Sequence, residues 1–385
     1  MRLNLGCGKL ELDGYTNIDI ANGDAAYPLP DIESGTCDEV RASHLLEHFR
    51  QEEVAAVLGE WVRVLKPGGV LKVAVPDFAK VAALYQADVS GLPLEGYIMG
   101  GQTDDNDYHH TIWDTDKLRV AMMDAGLIRI ERWESDAEDC ASLPISLNMQ
   151  AVKPTADMAK PLNVQGCMSV PRLGFMDNFF CAMEACVMTG VQLRKATGAF
   201  WGQCLERIMV DSINEGADII ITVDYDTIFE ARDIQELVYL MRSYPEADAI
   251  AAMQAPRGWR GILAGVDAAA NGEVNAEYFS GDLARARTAH FGLTAIRVES
   301  LKKMAHPWFM GHPDGNGEWG PGRTDDDIHF WKKWRETGNS LYLAPRVTVG
   351  HLELTIRWPD KQLNTLFQPV QDYHDNHKPP AEVWR

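Results

Sequence analysis

The run Ile219 to Thr227, Ile-Ile-Ile-Thr-Val-Asp-Tyr-Asp-Thr, constrains the chain more than any other stretch, because an apolar, β-branched segment stops abruptly on two carboxylates. Such a run fits a buried strand of a parallel sheet. Asp224 and Asp226 then leave it at the carboxyl end, where open α/β sheets bind ligands. A turn at the strand end lets both carboxylates serve one cation, directly or through water. A hard divalent ion held there would neutralise a diphosphate. The plain structural reading is a strand followed by an Asp-rich turn or a helix cap, and Asp-x-Asp taken alone favours it. The surrounding sequence shifts that balance.

At 385 residues the chain exceeds what one core organises, so two domains are expected, and 46% hydrophobic residues suffice for both. A formal charge of −20 argues against a protein that grips nucleic acid by neutralising phosphates, and no run rich in Lys and Arg supplies a local exception. The seven cysteines show no tight pairs at zinc-finger or redox spacing, which points to reduced thiols and a cytoplasmic location. The amino terminus enters the strand-like Leu3-Asn4-Leu5 with no charged leader or apolar signal core. No apolar run reaches the roughly 18 residues of a membrane span.

In the first half, Arg2 to Leu5 reads as a strand running directly into Gly6-Cys7-Gly8, a turn placed where side chains would obstruct a ligand. Thr16 to Ile20 reads as a second strand carrying Asp19, a spacing that sets a carboxylate against ribose hydroxyls. Gln51 to Leu65 has helical periodicity, Lys66-Pro67-Gly68-Gly69 stops it, and Val70 to Val75 is a further strand.

The ordered pieces Leu3-Asn4-Leu5-Gly6-Cys7-Gly8, Asn17-Ile18-Asp19, Gly23-Asp24-Ala25, His44-Leu45-Leu46-Glu47-His48 and Val64-Leu65-Lys66-Pro67-Gly68-Gly69 resemble the class I S-adenosylmethionine-dependent methyltransferases. The resemblance implies a Rossmann-like fold over 1–153. It also implies that Gly6 and Gly8 admit the methionine end of the cofactor, that Asp19 holds the ribose and Asp24 the adenine, and that Ser43 and His44 line the pocket floor. His44 and His48 lie four apart and invite a metal reading if helical, but no third ligand is evident and the resemblance already accounts for them. Asp104 to His110 is either a lid or a solvated loop. No general base for methyl transfer is identifiable, so the domain is either active or a structural relic. Its 26 Asp and Glu against 13 Lys and Arg make an anionic polymer a poor partner.

Residues 154–160 have the composition of a linker, which leaves 161–385 for a second α/β domain. Its first strand is followed by Ser169-Val170-Pro171-Arg172, a loop placed to contact a nucleotide through Ser169 and Arg172, although Arg172 serves equally as a surface charge. Phe175 to Thr189 and Trp201 to Glu215 read as helices, the second leading into the Ile219 strand.

This order, ending in Asp224-Tyr225-Asp226, resembles the nucleotide-sugar-dependent glycosyltransferases of the GT-A fold. Gly322-Arg323-Thr324-Asp325-Asp326-Asp327 opens a helix, Ile328 to Thr337, closed by Gly338, and is similar to the acidic pair that carries the catalytic base of inverting members. The family usually shows Glu-Asp there. Counting back from Gly338 favours Asp326 and Asp327, and capping of the helix is the alternative role. His351, ending the strand-like Val347-Thr348-Val349-Gly350, matches a late metal-binding histidine of that fold. The resemblance thus implies Asp224, Asp226 and His351 as ligands of manganese or magnesium, with manganese the better match to a nitrogen donor. Asp224 would also face the nucleotide sugar. Trp308 and Trp319 offer faces on which an acceptor sugar can stack, and core packing competes for Trp308.

The implied partners are a UDP- or GDP-sugar and a hydroxyl acceptor on a glycan, with S-adenosylmethionine as cofactor of the first domain. Two alternatives remain open at this point. One is glycosylation of a modified DNA base, against which the acidity counts. The other is a first domain that only docks a partner protein.

Overall fold

The computed structural model describes residues 1–385 apart from 24, 88–92, 171–173, 257–260, 267–275 and 384–385. Asp24 and Arg172 therefore lie outside the described residues. The chain forms two compact units, Met1–Lys160 and Pro161–Arg385, and the expected linker contains one short helix, Ala156–Ala159.

The first unit is built on a six-stranded sheet in the order Thr16–Ile18, Arg2–Leu5, Cys37–Ser43, Leu65–Pro76, Ser146–Val152, Ile128–Arg132. The first four strands are parallel, and the last two are antiparallel to their neighbours. Leu3, Leu5, Val40, Ala42, Leu71 and Val73 are fully buried in its centre. The periodic stretch beginning at Gln51 becomes a helix over Val54–Val64, whose buried Val54, Val57, Leu58, Trp61 and Val64 recur at helical spacing and form its inner face. His44 and His48 do not share an α-helical face. His44 has φ 50° and is followed by a single 3-10 turn, Leu46–His48. The Gly-Gly expected to stop the preceding helix falls inside the strand Leu65–Pro76, which the backbone has already entered.

The second unit is built on a sheet in the order Ala264–Val266, Ala284–Ala289, Leu341–His351, Ala249–Gln254, Leu293–Arg297, Ile219–Asp224, Val164–Val170, Gln192–Thr197. Ile219–Asp224 is central, but the sheet around it is mixed: Val164–Val170 runs parallel to it and Leu293–Arg297 antiparallel. A continuous apolar run marks burial of both faces and says nothing of neighbour direction. Ile220 packs into one cluster with Phe291, Phe330, Trp331 and Trp334, beside the helices Trp201–Asn214 and Asp326–Glu336. Ile219, Ile221 and Val223 pack into another with Ala182, Ala185, Leu237 and Leu240, from the helices Met176–Thr189 and Ala231–Ser243. Alternate residues of one strand thus bind two helical layers to the sheet, and each large apolar side chain contributes about 1.5–3 kcal/mol by leaving water.

One expectation for this unit is corrected. Trp308 is 2% exposed and donates its indole N–H to the Met304 carbonyl at 3.2 Å, so core packing holds it and it offers no face to a sugar. The carboxyl-terminal segment forms the hairpin Thr355–Pro359 and Thr365–Pro369 and the helix Val370–Asn376. Among the described residues no helix is long and apolar enough to cross a membrane.

Candidate functional site

In the first unit the strand Arg2–Leu5 turns sharply at its carboxyl end. Gly6 and Gly8 take φ 64° and 54°, a backbone conformation that strains a larger residue, and a Cβ on Gly6 would also crowd the Leu45 side chain at 2.9 Å. Asp19 braces this loop: one carboxylate oxygen accepts from the Gly8 N–H at 2.7 Å and the other from the Ala21 N–H at 2.9 Å, capping the short turn Ile20–Asn22. Gly6, Gly8, Ser43 and His44 line one cavity of about 300 Å³ together with Arg41 and Asp139. Asp19 reaches it through Gly8.

Arg41 is absent from the sequence-level candidates. It is 2% exposed, pairs with Asp139 at 2.6 Å and lies over the Trp133 ring. An arginine between Val40 and Ala42 in an apolar strand was the available signal. Ser43 Oγ and Arg41 Nε have no hydrogen-bond partner among the described residues, so the cavity retains polar atoms able to meet a polar ligand. Burial pushes the neighbouring His44 imidazole down to about 4 and the Glu47 carboxyl up to about 8, so neither is charged near neutral pH in this setting.

In the second unit, Asp224, Asp226, His351, Asp325, Asp326 and Asp327 line a single cleft of about 480 Å³. The turn after the central strand is fixed by Asn178, whose side-chain amide donates to the carbonyls of Asp224 at 2.8 Å and Thr227 at 2.6 Å. Asp224 accepts the Trp201 indole N–H at 2.8 Å, which sets the direction of its carboxylate. Asp226 is 3% exposed, and its carbonyl accepts the Leu352 N–H at 2.7 Å. The next residue, Thr227, pairs with His351 across the ladder.

His351 donates from Nδ1 to the Ala255 carbonyl at 3.0 Å, and its Nε2 stands 3.6 Å from Asp226 Oδ2. His290 also lines the cleft. It accepts the Gly292 N–H at Nδ1 and donates from Nε2 to Ala252, and burial pushes it down to about 4, so it is a neutral structural ring. Asn178 carries no sequence signal, because its partners lie more than forty positions away along the chain.

The acidic triplet divides by environment. Asp325 is exposed and pairs with Arg323 at 2.7 Å. Asp327 accepts the Ile328 N–H at 2.7 Å, and burial pushes its carboxyl upward. Asp326 sits against two glycines: a Cβ on Gly202 would lie 2.7 Å from one of its oxygens and a Cβ on Gly311 2.9 Å from the other. The same Gly311 position is 3.4 Å from the ring of Trp319, which is 64% exposed. Ser169, expected at the nucleotide, is instead buried, with its hydroxyl donated to the Trp201 carbonyl at 3.0 Å. It supports the cleft through Trp201 and is not part of its lining.

Residues 4–73 match the family model described as a methyltransferase domain. No curated protein matches the chain. Among solved structures it is similar to A197 from STIV, at 13% identity over 53% of this chain and 94% of that one with a TM-score of 0.37. It is also similar to a SAM-dependent methyltransferase, possible histamine N-methyltransferase, from Thermotoga maritima (14% identity, 40% and 81% covered, TM-score 0.26). A third is GalNAc-T7 with UDP, GalNAc and Mn2+ (12% identity, 50% and 44% covered, TM-score 0.34). The similarity to a methyltransferase domain is confined to the amino-terminal end and falls within the first unit.

Proposed function

We propose that the second unit is a metal-dependent glycosyltransferase that moves a sugar from a nucleoside diphosphate to a hydroxyl of a glycan, joined in one chain to methylation of the same glycan. The observation that carries this reading is the convergence of Asp226 Oδ2 and His351 Nε2, 3.6 Å apart, in one cleft with Asp224 and Asp326. Two carboxylates and an imidazole with its other nitrogen already donated suit manganese, with magnesium the weaker fit. Bound there, the ion would offset the charge that develops on a departing diphosphate.

Asp326 takes the proton of the acceptor hydroxyl as that oxygen bonds to the anomeric carbon, and the bond to the diphosphate breaks with its electron pair staying on the diphosphate. This course inverts the anomeric centre. Trp319, exposed beside Gly311, supplies a face for the acceptor ring. A screen of UDP- and GDP-sugars tests the reading. Nucleoside diphosphate release from at least one donor is expected with manganese and is expected to vanish in EDTA. Release that ignores the metal would refute the metal-dependent mechanism.

In the first unit, Gly6, Gly8, Ser43 and His44 would take the methionine end of S-adenosylmethionine, and Asp19 its ribose. Asp19→Ala removes the brace on Gly8 as well as a charged acceptor, so calorimetry should show cofactor affinity falling about 10- to 100-fold. An intact chain that binds no S-adenosylmethionine would make the unit a docking module.

A further inference from the structure

Beside the cofactor cavity the first unit gathers a second set of ligating side chains. Glu47 lies in the turn Leu46–His48 with 0% exposure, and among the described residues neither of its carboxylate oxygens has a hydrogen-bond partner. A buried carboxyl without a donor needs a physical explanation, and an ion is one that its surroundings favour. His44 Nδ1 stands 3.4 Å from Glu47 Oε1, and His109 Nε2 stands 4.0 Å from the same oxygen. Glu47, His48 and His109 each offer a ligand atom within 4.8 Å of the others.

The outer contacts of these rings set which nitrogens face inward. The Ser146 hydroxyl donates to Asn148 Oδ1 at 2.6 Å, and the Asn148 amide donates to the Ala141 carbonyl, so Ser146 Oγ is left to accept from His44 Nε2 at 2.9 Å. His44 Nδ1 therefore presents a lone pair toward Glu47. His48 donates from Nδ1 to the Tyr108 carbonyl at 3.2 Å, which leaves its lone pair on Nε2. His109 is hydrogen-bonded to the Tyr97 backbone. Outer acceptors that orient imidazoles in this way are the usual support of metal ligands. The backbone holds the two segments in place as well, because the N–H groups of His110 and Thr111 both donate to the Glu47 carbonyl, at 2.8 and 3.2 Å.

We propose that Glu47, His48 and His109, with His44 as a further nitrogen donor, form a binding site for a divalent transition-metal ion. Imidazoles with a single carboxylate suit zinc, manganese or iron(II), and disfavour calcium and magnesium, which take oxygen ligands. His44 also lines the cofactor cavity, while His109 lines a separate small groove with Tyr97 and Phe78, so the site lies between the two. Its existence depends on these ligands alone and not on methyl transfer.

The test uses the full chain carrying Asp226→Ala, to silence the second unit's cleft, stripped with EDTA and dialysed against zinc. One bound zinc per chain is expected, along with a cobalt(II) visible spectrum typical of a nitrogen-rich site. Glu47→Gln, which keeps the side-chain shape, should weaken zinc at least tenfold and abolish the zinc-induced rise in Tm, without lowering the Tm of the metal-free protein. His109→Gln should weaken zinc by about 100-fold, and Glu47→Gln decides alone if that variant does not fold. Absence of zinc from the Asp226→Ala chain, or unchanged zinc affinity in Glu47→Gln, overturns the proposal.

Discussion

Asp226→Ala should lower nucleotide-sugar turnover at saturating manganese by about 10³-fold or more, while the chain stays folded and still binds S-adenosylmethionine. The size follows from removing a ligand of the ion that would stabilise charge on the leaving diphosphate, where the loss of one well-aimed donor alone costs about 10²–10³ in rate. The fold should tolerate the change. The Asp226 carbonyl keeps its bond to Leu352, and Asn178 still clamps the turn on either side. Circular dichroism and Tm check the fold, and nucleoside diphosphate release checks the rate. Turnover within tenfold of the unsubstituted protein would remove the metal from this cleft.

The placement of Asp226 also shows which parts of the site were legible beforehand. An apolar run ending on acids predicts a strand end, and Asp224 and Asp226 do stand at the end of Ile219–Asp224 in one cleft. His351 was reachable by the same argument, since it too ends an apolar strand. What brings it to Asp226 is a two-residue antiparallel pairing with Thr227 and Ile228, and no local pattern encodes that register.

Residues whose role depends on distant partners were misread or missed. Core packing competes for Trp308 already in the sequence, and what draws that segment into the core is Glu206, about a hundred positions away, which accepts the Trp308 backbone N–H at 2.8 Å. Ser169 was read as a ligand contact because of its place at a strand end, and the Trp201 carbonyl takes its hydroxyl instead. The four-residue spacing of His44 and His48 would put them together only on a helix, whereas the left-handed backbone at His44 redirects the segment. That redirection and the distant loop at His109 together assemble the group around Glu47.

Asp326→Asn should lower kcat for sugar transfer by about 10²–10⁴, equivalent to roughly 3–5 kcal/mol of barrier, with donor KM changed by less than about threefold. Asn keeps the size of the side chain and its fit between Gly202 and Gly311 but cannot take a proton. The neighbouring acids are poorer bases for reasons the structure supplies. Asp325 is engaged by Arg323, and the Asp327 carboxylate is tied to the Ile328 N–H. All three sit at the start of the helix Asp326–Glu336, whose exposed N–H groups stabilise negative charge and so weaken any carboxylate there as a base. That makes position the deciding property: Asp326 is the one set beside the exposed ring of Trp319, where an acceptor would lie. Steady-state kinetics of the three Asp→Asn variants separate the possibilities. A loss confined to Asp327→Asn moves the base by one residue, and full activity in all three means that none of these carboxylates takes the acceptor proton, so the inverting course fails.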